Sequence, residues 1–366
     1  MKKFTLLMSV VLVLALLAGC GGSQPAATTA APATEAPTTA APATEAPTTA
    51  APPPADRVIK VGFAQIGSES DWRVGCTNSV RQACADAGFD LTFVDANQVQ
   101  ENQIKALRDF ITQGVDYIGF SPVVETGWDQ VMREIKDAGI PVIMLDRNIE
   151  MPDRDDYYAT WIGSNFIEEG EKSAKWLLEY LELVGRSNDD INIVELQGTV
   201  GSSPAIDRKT GFENGIAGKP NLSITQSQTG DFTTELGKTV MESFIKKAQA
   251  DGVKIDVLYA HNDGMAIGAI QAIKEAGLVP GEDIIIIGVD AVKLAFEAII
   301  AGEMNVTVEC SPLLGPQFVG AINDMEAGKT LDKITYSIEY VYDETLSQVN
   351  PAEYKSAVAE YPSRVY

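Results

Sequence analysis

The stretch IPVIMLDRNI (140–149) is a short apolar run that ends in an acid and a base. An uninterrupted run of this kind is typical of a parallel strand that is buried on both faces. Asp146 and Arg147 stand where such a strand leaves the core, and ligands of open parallel sheets bind at the carboxyl ends of the strands. A carboxylate beside a guanidinium can accept from and donate to one polar ligand. The stretch alone leaves open whether the pair binds a ligand or is an ion pair without one.

Length and charge limit the classes of function. The chain has 366 residues, which is long enough for two domains. Its net charge of −23 at pH 7 argues against nucleic acid or an anionic membrane as the partner. His261 is the single histidine, so histidine-based catalysis and a histidine-rich metal site are not expected. We expect neither a cofactor nor a metal.

The first 20 residues have the pattern of an export signal. Lys2 and Lys3 precede an apolar stretch, 6–18, that is too short to span a bilayer. It closes in LAGC (17–20), which resembles a bacterial lipobox, so Cys20 would be lipidated and become the first mature residue. An ordinary signal peptide and an uncleaved anchor are the alternatives.

Residues 21–56 are predicted to be a disordered tether. The sequence APATEAPTTA occurs at 31–40 and again at 41–50, and this Pro- and Thr-rich tract has no core-forming residue. Such a segment stays extended and solvated and would hold a domain away from the membrane. The sequence leaves open whether its threonines carry glycans.

From residue 58 onward, short apolar runs alternate with helical patterns. The predicted strands are VIKVGFAQI (58–66), LTFVDA (91–96), YIGFSPV (117–123) and PVIMLDR (141–147). The helices predicted between them, 72–87, 100–113 and 128–138, stop at Gly88, Gly114 and Gly139, which suits the left-handed residue that ends many helices. This order predicts an α/β fold with a doubly wound parallel sheet.

The pattern restarts after TWIG (160–163). The predicted helices are 168–183, 205–217, 234–250, 265–276 and 293–300. The predicted strands are INIVELQG (191–198), SITQSQ (223–228), VLYAHND (257–263), IIIIGVD (284–290) and NVTVEC (305–310). Two similar units in series indicate two domains with a cleft between them, and small ligands usually bind in such clefts.

Three cysteines follow the tether. Cys76 and Cys84 lie eight residues apart on one predicted helix, a rise of about 12 Å, which is too far for a disulfide. Neither these two nor Cys310 has CxxC spacing. We therefore interpret all three as small buried hydrophobic residues and not as metal ligands.

Many stretches, in order along the chain, carry a resemblance to a known family. They are GSESDWR (67–73), QENQIKALRDFITQGVDYI (100–118), TGW (126–128), LDR (145–147), VELQGTVGSSPAIDRKTGF (194–212), GDFT (230–233), VMESFIK (240–246) and AHNDGMAIGAIQAIKEAGL (260–278). From about residue 58 to about 342 the chain resembles the ribose/galactose type of periplasmic sugar-binding protein (type 1), the receptors of ABC importers. It is most similar to the galactofuranose-binding members.

The resemblance implies two Rossmann-like lobes with parallel sheets. Three crossovers would form the hinge, near Gly163, Cys310 and Ile338. The N-terminal lobe would then comprise 57–163 plus 311–338, and the C-terminal lobe 164–310 plus 339–366.

The residue roles that the resemblance implies fit sugar chemistry. Sugar hydroxyls donate and accept, and one face of the ring is apolar, so recognition needs charged groups at the rim and an aromatic plate. Asp146 would accept from two hydroxyls, and Arg147 would donate to others or to the ring oxygen. Arg208 would supply a second guanidinium from the far lobe, with a solvated helix arginine as the alternative. We expect loss of Asp146 or Arg208 to weaken binding and leave the fold intact.

The loop after the first strand supplies a second group by resemblance: Glu69, Ser70, Asp71, Trp72 and Arg73. Trp72 would stack on the sugar, while Glu69 and Arg73 would bond to its hydroxyls. Packing at the start of the helix is the alternative for Trp72. Asp71 replaces the small residue of the family and could alter local selectivity.

The second lobe would complete the site. Phe232 in GDFT would form another aromatic wall, and Trp128 is either a third wall or a core residue. Asn262 and Asp290 are either ligand contacts or N-caps of the helices that follow them. The family commonly has glycine after this aspartate, whereas this chain has Ala291, which leaves the position of the loop open.

The favoured function is that of a monomeric, extracytoplasmic, lipid-anchored receptor. It would bind a monosaccharide, galactofuranose or galactopyranose, between two closing lobes and deliver it to an ABC permease. The alternative is a sugar-sensing receptor for a membrane signalling or chemotaxis protein. An enzyme is not expected, because the sequence has no GxSxG elbow, no P-loop and no GxGxxG after the first strand.

Overall fold

Thirteen strands organise the part of the chain that the computed structural model describes, residues 57–366. The predicted export signal, the lipid attachment at Cys20 and the tether lie outside the described residues. The strands are β1 (Lys60–Gln65), β2 (Asp90–Asp95), β3 (Tyr117–Phe120), β4 (Val142–Leu145), β5 (Thr160–Gly163), β6 (Ile191–Gln197), β7 (Leu222–Thr229), β8 (Val257–Ala260), β9 (Ile285–Asp290), β10 (Val306–Glu309), β11 (Ile334–Tyr336), β12 (Val341–Asp343) and β13 (Tyr354–Ser356).

Eleven α-helices alternate with these strands in the described part of the chain. They are α1 (Asp71–Asp86), α2 (Gln100–Gln113), α3 (Asp129–Asp137), α4 (Phe166–Leu183), α5 (Ser203–Ile216), α6 (Thr234–Asp251), α7 (Asp263–Glu275), α8 (Lys293–Ile300), α9 (Gly315–Glu326), α10 (Leu346–Val349) and α11 (Ala357–Glu360). None of the helices within residues 57–366 combines the length and apolar character that a membrane crossing needs.

The strands divide between two sheets. The first has the order β2-β1-β3-β4-β5-β11, and all its pairs are parallel. The second has the order β7-β6-β8-β9-β10-β12-β13, and its pairs are parallel except for β10 with β12. The chain passes from one sheet to the other after β5, after β10 and between β11 and β12. This is the two-lobed α/β architecture with three crossovers that the sequence predicts, while the proposed lobe boundaries stay a prediction.

The strand that decided the fold lies at the centre of the first sheet. β4 pairs with β3 on one side and β5 on the other, and all four of its residues are buried. This confirms the parallel strand buried on both faces that the bare apolar run predicts. Several predicted strands continue past the observed ends, as at Ser121, Asp146 and His261. Regular pairing stops before these polar residues, and their side chains have partners within the protein: Ser121 Oγ donates to Asp146 Oδ2 at 3.0 Å, and His261 Nε2 lies 3.2 Å from Glu195 Oε1.

Two close approaches fix the relation of α4 to α5. A Cβ atom on Gly170 would collide with the carbonyl oxygen of Arg208, and one on Gly211 would collide with the carbonyl oxygen of Ile167. The glycines therefore let the two backbones touch. This contact brings Glu169 of α4 beside Arg208 of α5.

The structure also shows what the sequence pattern did not predict. Beyond Cys310 the chain adds α9 and the three short strands β11, β12 and β13, for which no element was predicted. Cys76, Cys84 and Cys310 are buried, as expected of small hydrophobic residues. Trp128 is also a core residue, fully buried with its ring centroid 5.3 Å from that of Phe120.

Candidate functional site

A cavity of about 290 Å³ lies at the carboxyl ends of the strands, between the two sheets. Its lining residues are Glu69, Ser70, Trp72, Arg73, Asp146, Arg147, Pro204, Arg208, Phe232, Asn262, Asp290 and Cys310. The structure thus brings together ten of the eleven residues predicted for the site. The lining combines three guanidinium groups, three carboxyl groups and two aromatic rings, the mixture of polar and apolar groups that binds a small polyhydroxylated ligand.

Arg73 and Asp146 form the core of the first wall. Arg73 Nη2 lies 2.7 Å from Asp146 Oδ2, and Arg73 Nε lies 3.0 Å from Glu69 Oε1. Burial alone would lower the pKa of Arg73, but the two carboxylates outweigh it and raise the pKa above its usual range. Arg73 therefore holds both acids in a fixed orientation at the cavity wall.

Asp146 is held in an unusual backbone conformation. Its φ is 61°, in the left-handed region that is uncommon for residues other than glycine. Trp161 Nε1 donates to its carbonyl oxygen at 3.0 Å, and Ser121 Oγ donates to its Oδ2 at 3.0 Å. The turn that follows β4 thereby directs the carboxylate into the cavity.

Arg147 has no carboxylate of its own. Its Nη1 donates to the carbonyl oxygen of Val123 at 2.7 Å, while its Nε has no hydrogen-bond partner among the described residues. The side chain is 2% exposed. Burial, followed by the positive charge of Arg73, lowers the pKa of Arg147 to about 10. A buried donor in this state needs an acceptor from a ligand or from water.

Arg208 is anchored by the protein through two of its three nitrogens. Its Nε donates to Glu169 Oε2 at 2.7 Å, its Nη1 donates to the carbonyl oxygen of His261, and its Nη2 lies 3.6 Å from Asp290 Oδ1. Only 3% of the residue is exposed. The solvated helix arginine is therefore excluded, and the burial and ion pair of Arg208 give a reason to expect that its loss would also destabilise the fold.

The loop after β9 is strained at two residues. Asp290 has a φ of 120° and Ala291 a φ of 57°, where the family pattern has glycine. The backbone N–H of Ala291 donates to Thr307 Oγ1 at 3.0 Å, which holds the loop. Asp290 does not cap α8, because the N-cap position is Val292. Burial raises the pKa of Asp290 well above its usual range, against the opposing charge of Arg208.

Two aromatic rings close the cavity from different sides. Trp72 is 4% exposed, and its Nε1 donates to the carbonyl oxygen of Cys310 at 2.6 Å across the hinge. Phe232 has a φ of 60° and lies under the guanidinium of Arg147, 5.2 Å from ring centroid to Cζ. Both rings present an apolar face to the polar wall.

Two of the predicted contacts also cap helices. Ser70 Oγ accepts from the backbone N–H of Arg73 at the start of α1. Asn262 Oδ1 accepts from the N–H of Met265 at the start of α7, and its Nδ2 donates to the carbonyl oxygen of Phe232 at 3.1 Å. Both residues line the cavity while they satisfy the first turns of their helices.

One predicted site residue lies elsewhere, and two lining residues were not predicted. Asp71 is exposed and faces a second, outer cavity instead. Pro204 and Cys310 line the inner cavity, but neither carries a charge or a ring that would have singled it out. The only signal for Pro204 was its place within the matching stretch 194–212.

The hinge carries a cluster of acids behind Arg208. Side-chain atoms of Glu169, Cys310 and Glu339 lie within 4.8 Å of one another, close enough to share a cation. Ser164 Oγ and the N–H of Ser311 both donate to Glu339 Oε1, so one carboxyl group ties the three crossovers together. Burial and then the charge of Glu169 raise the pKa of Glu339 to about 9. A protonated carboxyl and a protonated thiol are poor metal ligands.

The polar groups of the cavity are balanced for a neutral, polyhydroxylated ligand. Arg147 Nε is an unpaired buried donor, and Glu69 Oε2 is an unpaired buried acceptor. Hydroxyl groups can serve both. Of the three lining arginines, Arg73 and Arg208 are paired with carboxylates, and Arg147 is the one without such a partner.

The sequence is similar to that of known solute-binding proteins. Residues 61–315 match the family model described as periplasmic binding protein domain. The galactofuranose-binding protein YtfQ of Escherichia coli (strain K12) is 47% identical over 285 residues, which cover 78% of this chain and 87% of that protein.

Two solved structures are similar to this chain in both fold and sequence. A protein from Mycobacterium smegmatis in complex with β-D-fucofuranose has a TM-score of 0.75 and 46% identity, covering 80% of this chain and 94% of that one. The arabinose-transporter binding protein from Shewanella sp. ANA-3, bound to α- and β-L-arabinofuranose, has a TM-score of 0.76 and 46% identity, covering 83% and 95%. The chain therefore belongs to the periplasmic binding protein family, extracytoplasmic proteins that bind solutes and are not enzymes, as the sequence predicts.

Proposed function

We propose that the protein binds the furanose form of a monosaccharide, with galactofuranose as the first candidate, and presents it to an ABC permease. The observation that carries this is the cavity with an unpaired buried donor on Arg147 and an unpaired buried acceptor on Glu69. The similarity to a galactofuranose-binding protein and to two furanose-bound structures supports the choice of ring form.

The polar contacts would divide between the two lobes. Asp146 and Arg147 would bind neighbouring hydroxyls, because the carboxylate accepts and the guanidinium donates. Glu69 would accept a further hydroxyl, while Arg73 orients the acids. From the other lobe, Arg208 and Asp290 would reach the opposite edge of the ring.

The apolar contacts would come from the rings of Trp72 and Phe232. A five-membered furanose ring is smaller and flatter than a pyranose chair, so a cavity with an aromatic ring on two sides suits it. Asn262 would hold the Phe232 loop against the ligand through its hydrogen bond to the backbone.

Binding would be coupled to closure of the lobes, 57–163 plus 311–338 and 164–310 plus 339–366. Since both lobes contribute charged contacts, the ligand stabilises the closed arrangement over an open one. The closed, monomeric receptor would then be the form that the permease recognises.

We also propose that a lipid on Cys20 anchors the protein outside the cell membrane, with 21–56 as the tether. The LAGC motif and the Pro- and Thr-rich tract support this. Membrane fractions of cells that express the full chain provide the test. The parent should remain with the membrane and Cys20→Ser should be released, whereas retention of Cys20→Ser would contradict the anchor.

Calorimetric titration tests the binding function. The ring forms of free galactose interconvert in solution, so the titrant is equilibrated galactose. The secreted Cys20→Ser chain should bind it more tightly than ribose, L-arabinose or glucose. Structure determination of the complex should then show the furanose ring in the inner cavity. Absence of binding to every sugar in the set would overturn the proposal.

A further inference from the structure

A second cavity of about 860 Å³ adjoins the sugar cavity at the mouth of the cleft. The two cavities share five lining residues, Glu69, Ser70, Trp72, Asn262 and Asp290. A substituent on a sugar ring in the inner cavity can therefore reach the second cavity by passing between these five shared side chains. We call this second space the outer cavity.

The outer cavity is built from both lobes. Asp71 and Val74 of α1 form one side. Three helices that flank the second sheet form the other, with Thr234 of α6, Gln271 of α7 and Leu294 of α8. All five side chains belong to exposed residues. When the lobes close and enclose the inner ligand, an open, solvated space therefore remains beside that ligand.

Its walls have the mixed chemistry that a sugar ring needs. Asp71, Thr234 and Gln271 offer acceptors and donors for hydroxyls. Val74, 43% exposed, and Leu294, 46% exposed, offer apolar surface for C–H groups. Asp71 is the residue that departs from the family pattern, and it faces this cavity and not the inner one.

The chemistry of furanoses gives the outer cavity an occupant. A free hexofuranose opens at its hemiacetal carbon and converts to the pyranose form. A glycosidic bond turns that carbon into an acetal and locks the five-membered ring. A furanose that is joined to a second sugar unit therefore stays in the ring form that a furanose-selective receptor binds.

We propose that the protein also binds furanosyl disaccharides, with the furanose in the inner cavity and the second sugar ring in the outer cavity. This inference rests on the proposed function, because it needs a furanose in the inner cavity. The outer cavity, about 860 Å³, is larger than the inner one, about 290 Å³, so the larger space lies where the second ring would be.

The test is titration with equilibrated galactose, whose furanose form is the proposed inner ligand, and with a β-galactofuranosyl-glucose disaccharide. Leu294→Trp narrows the outer cavity, and Ile300→Trp is the matched control, since both residues lie on α8 and are 46% and 45% exposed. Leu294→Trp should weaken disaccharide binding about ten-fold or more through steric overlap and leave galactose binding unchanged. Ile300→Trp should change neither.

The outcomes separate this inference from the function on which it rests. If the parent binds galactose and excludes the disaccharide, the outer cavity holds no second ring and the inference is overturned. The same follows if Leu294→Trp and Ile300→Trp bind the disaccharide equally. If the parent binds neither sugar, the proposed function fails first.

Discussion

Arg147 and Arg208 line the same cavity from opposite sheets, yet the protein treats them differently. Arg208 is held by Glu169 at 2.7 Å, by Asp290 at 3.6 Å and by a backbone carbonyl. Arg147 has one backbone carbonyl and a free Nε, and the pKa of Arg147 is lowered where that of Arg208 is raised. Both are almost completely buried.

This difference indicates that Arg208 is a scaffold residue, whereas Arg147 has hydrogen-bonding capacity that a ligand can use. A buried charge with its counter-ion is already stabilised, and removing it leaves the counter-ion unpaired. A buried charge without one is costly to the empty protein and gains most when a ligand supplies an acceptor. Removal of Arg208 should therefore lower mainly the stability of the protein, and removal of Arg147 should lower mainly its affinity for the sugar.

The largest effect is expected for Arg208→Ala. It leaves Glu169 buried beside Asp290 without their cation, so the free energy of unfolding should fall by about 3–5 kcal/mol. Urea denaturation of the sugar-free protein measures this. Arg108→Ala is the control, because Arg108 pairs with Glu134 on the surface and its loss should change little. A parent-like denaturation midpoint for Arg208→Ala would show that Arg208 is not a scaffold residue.

Arg147→Ala should show the opposite pattern. Loss of a charge-assisted contact to the sugar costs about 2–5 kcal/mol, so affinity should fall about thirty-fold or more. Stability of the sugar-free protein should change by no more than about 1 kcal/mol, because an uncompensated buried charge is removed. Titration and thermal melting on the same sample give both numbers. Unchanged affinity would mean that the free Nε does not face the ligand.

The third prediction concerns Glu339, which lies behind the Arg208 scaffold. Burial and the charge of Glu169 raise the pKa of Glu339 to about 9 in the folded protein. The pKa of an unfolded glutamate is about 4.3. The stability that this group contributes is therefore present below about pH 4.3 and is lost as the pH rises towards 9.

Glu339→Gln removes this titration. The stability of the variant relative to the parent should rise steadily between pH 5 and pH 9, as measured by urea denaturation at three pH values. Glu235→Gln, on the exposed first turn of α6, is the control and should follow the parent. If the stabilities of the parent and of Glu339→Gln changed in parallel with pH, the raised pKa of Glu339 would be refuted.

The smallest effect is expected for Ala291→Gly, in the loop that carries the second partner of Arg208. Ala291 has a φ of 57°, and relief of this strain exceeds the extra entropy that glycine loses, so stability should rise by about 0.5–1 kcal/mol. Ala295→Gly, within α8, should instead lose about 1 kcal/mol. A loss at Ala291 as large as at Ala295 would show that the loop is not strained.

The sequence was sufficient to predict the sheets and the lining of the cavity, because both follow from local patterns. Buried parallel strands are apolar runs, and polar residues directly after them share one edge of a sheet. Asp146, Asn262 and Asp290 were found in this way. The family resemblance supplied Arg208, Trp72 and Phe232, which no strand end indicates.

The partners of these residues could not be predicted, because they come from distant segments. Glu169 reaches Arg208 through the contact of two helices, and that contact depends on glycines with no visible pattern. Glu339 lies on the third crossover, beyond the regular alternation. Strands as short as β11, with three exposed residues, have no apolar run to reveal them.

The order of strands in the first sheet has a consequence for how the chain folds. β11 is the neighbour of β5, yet β6 to β10 of the other sheet lie between the two in the sequence. Closing so long a loop is entropically costly and slow. A growing chain therefore cannot complete either sheet until almost all of it has emerged, and its edge at β5 stays open until then. The strands β1–β5 and β6–β10 are each continuous in sequence, so it is the edge strands β11 to β13, and with them the third crossover, that join the sheets last.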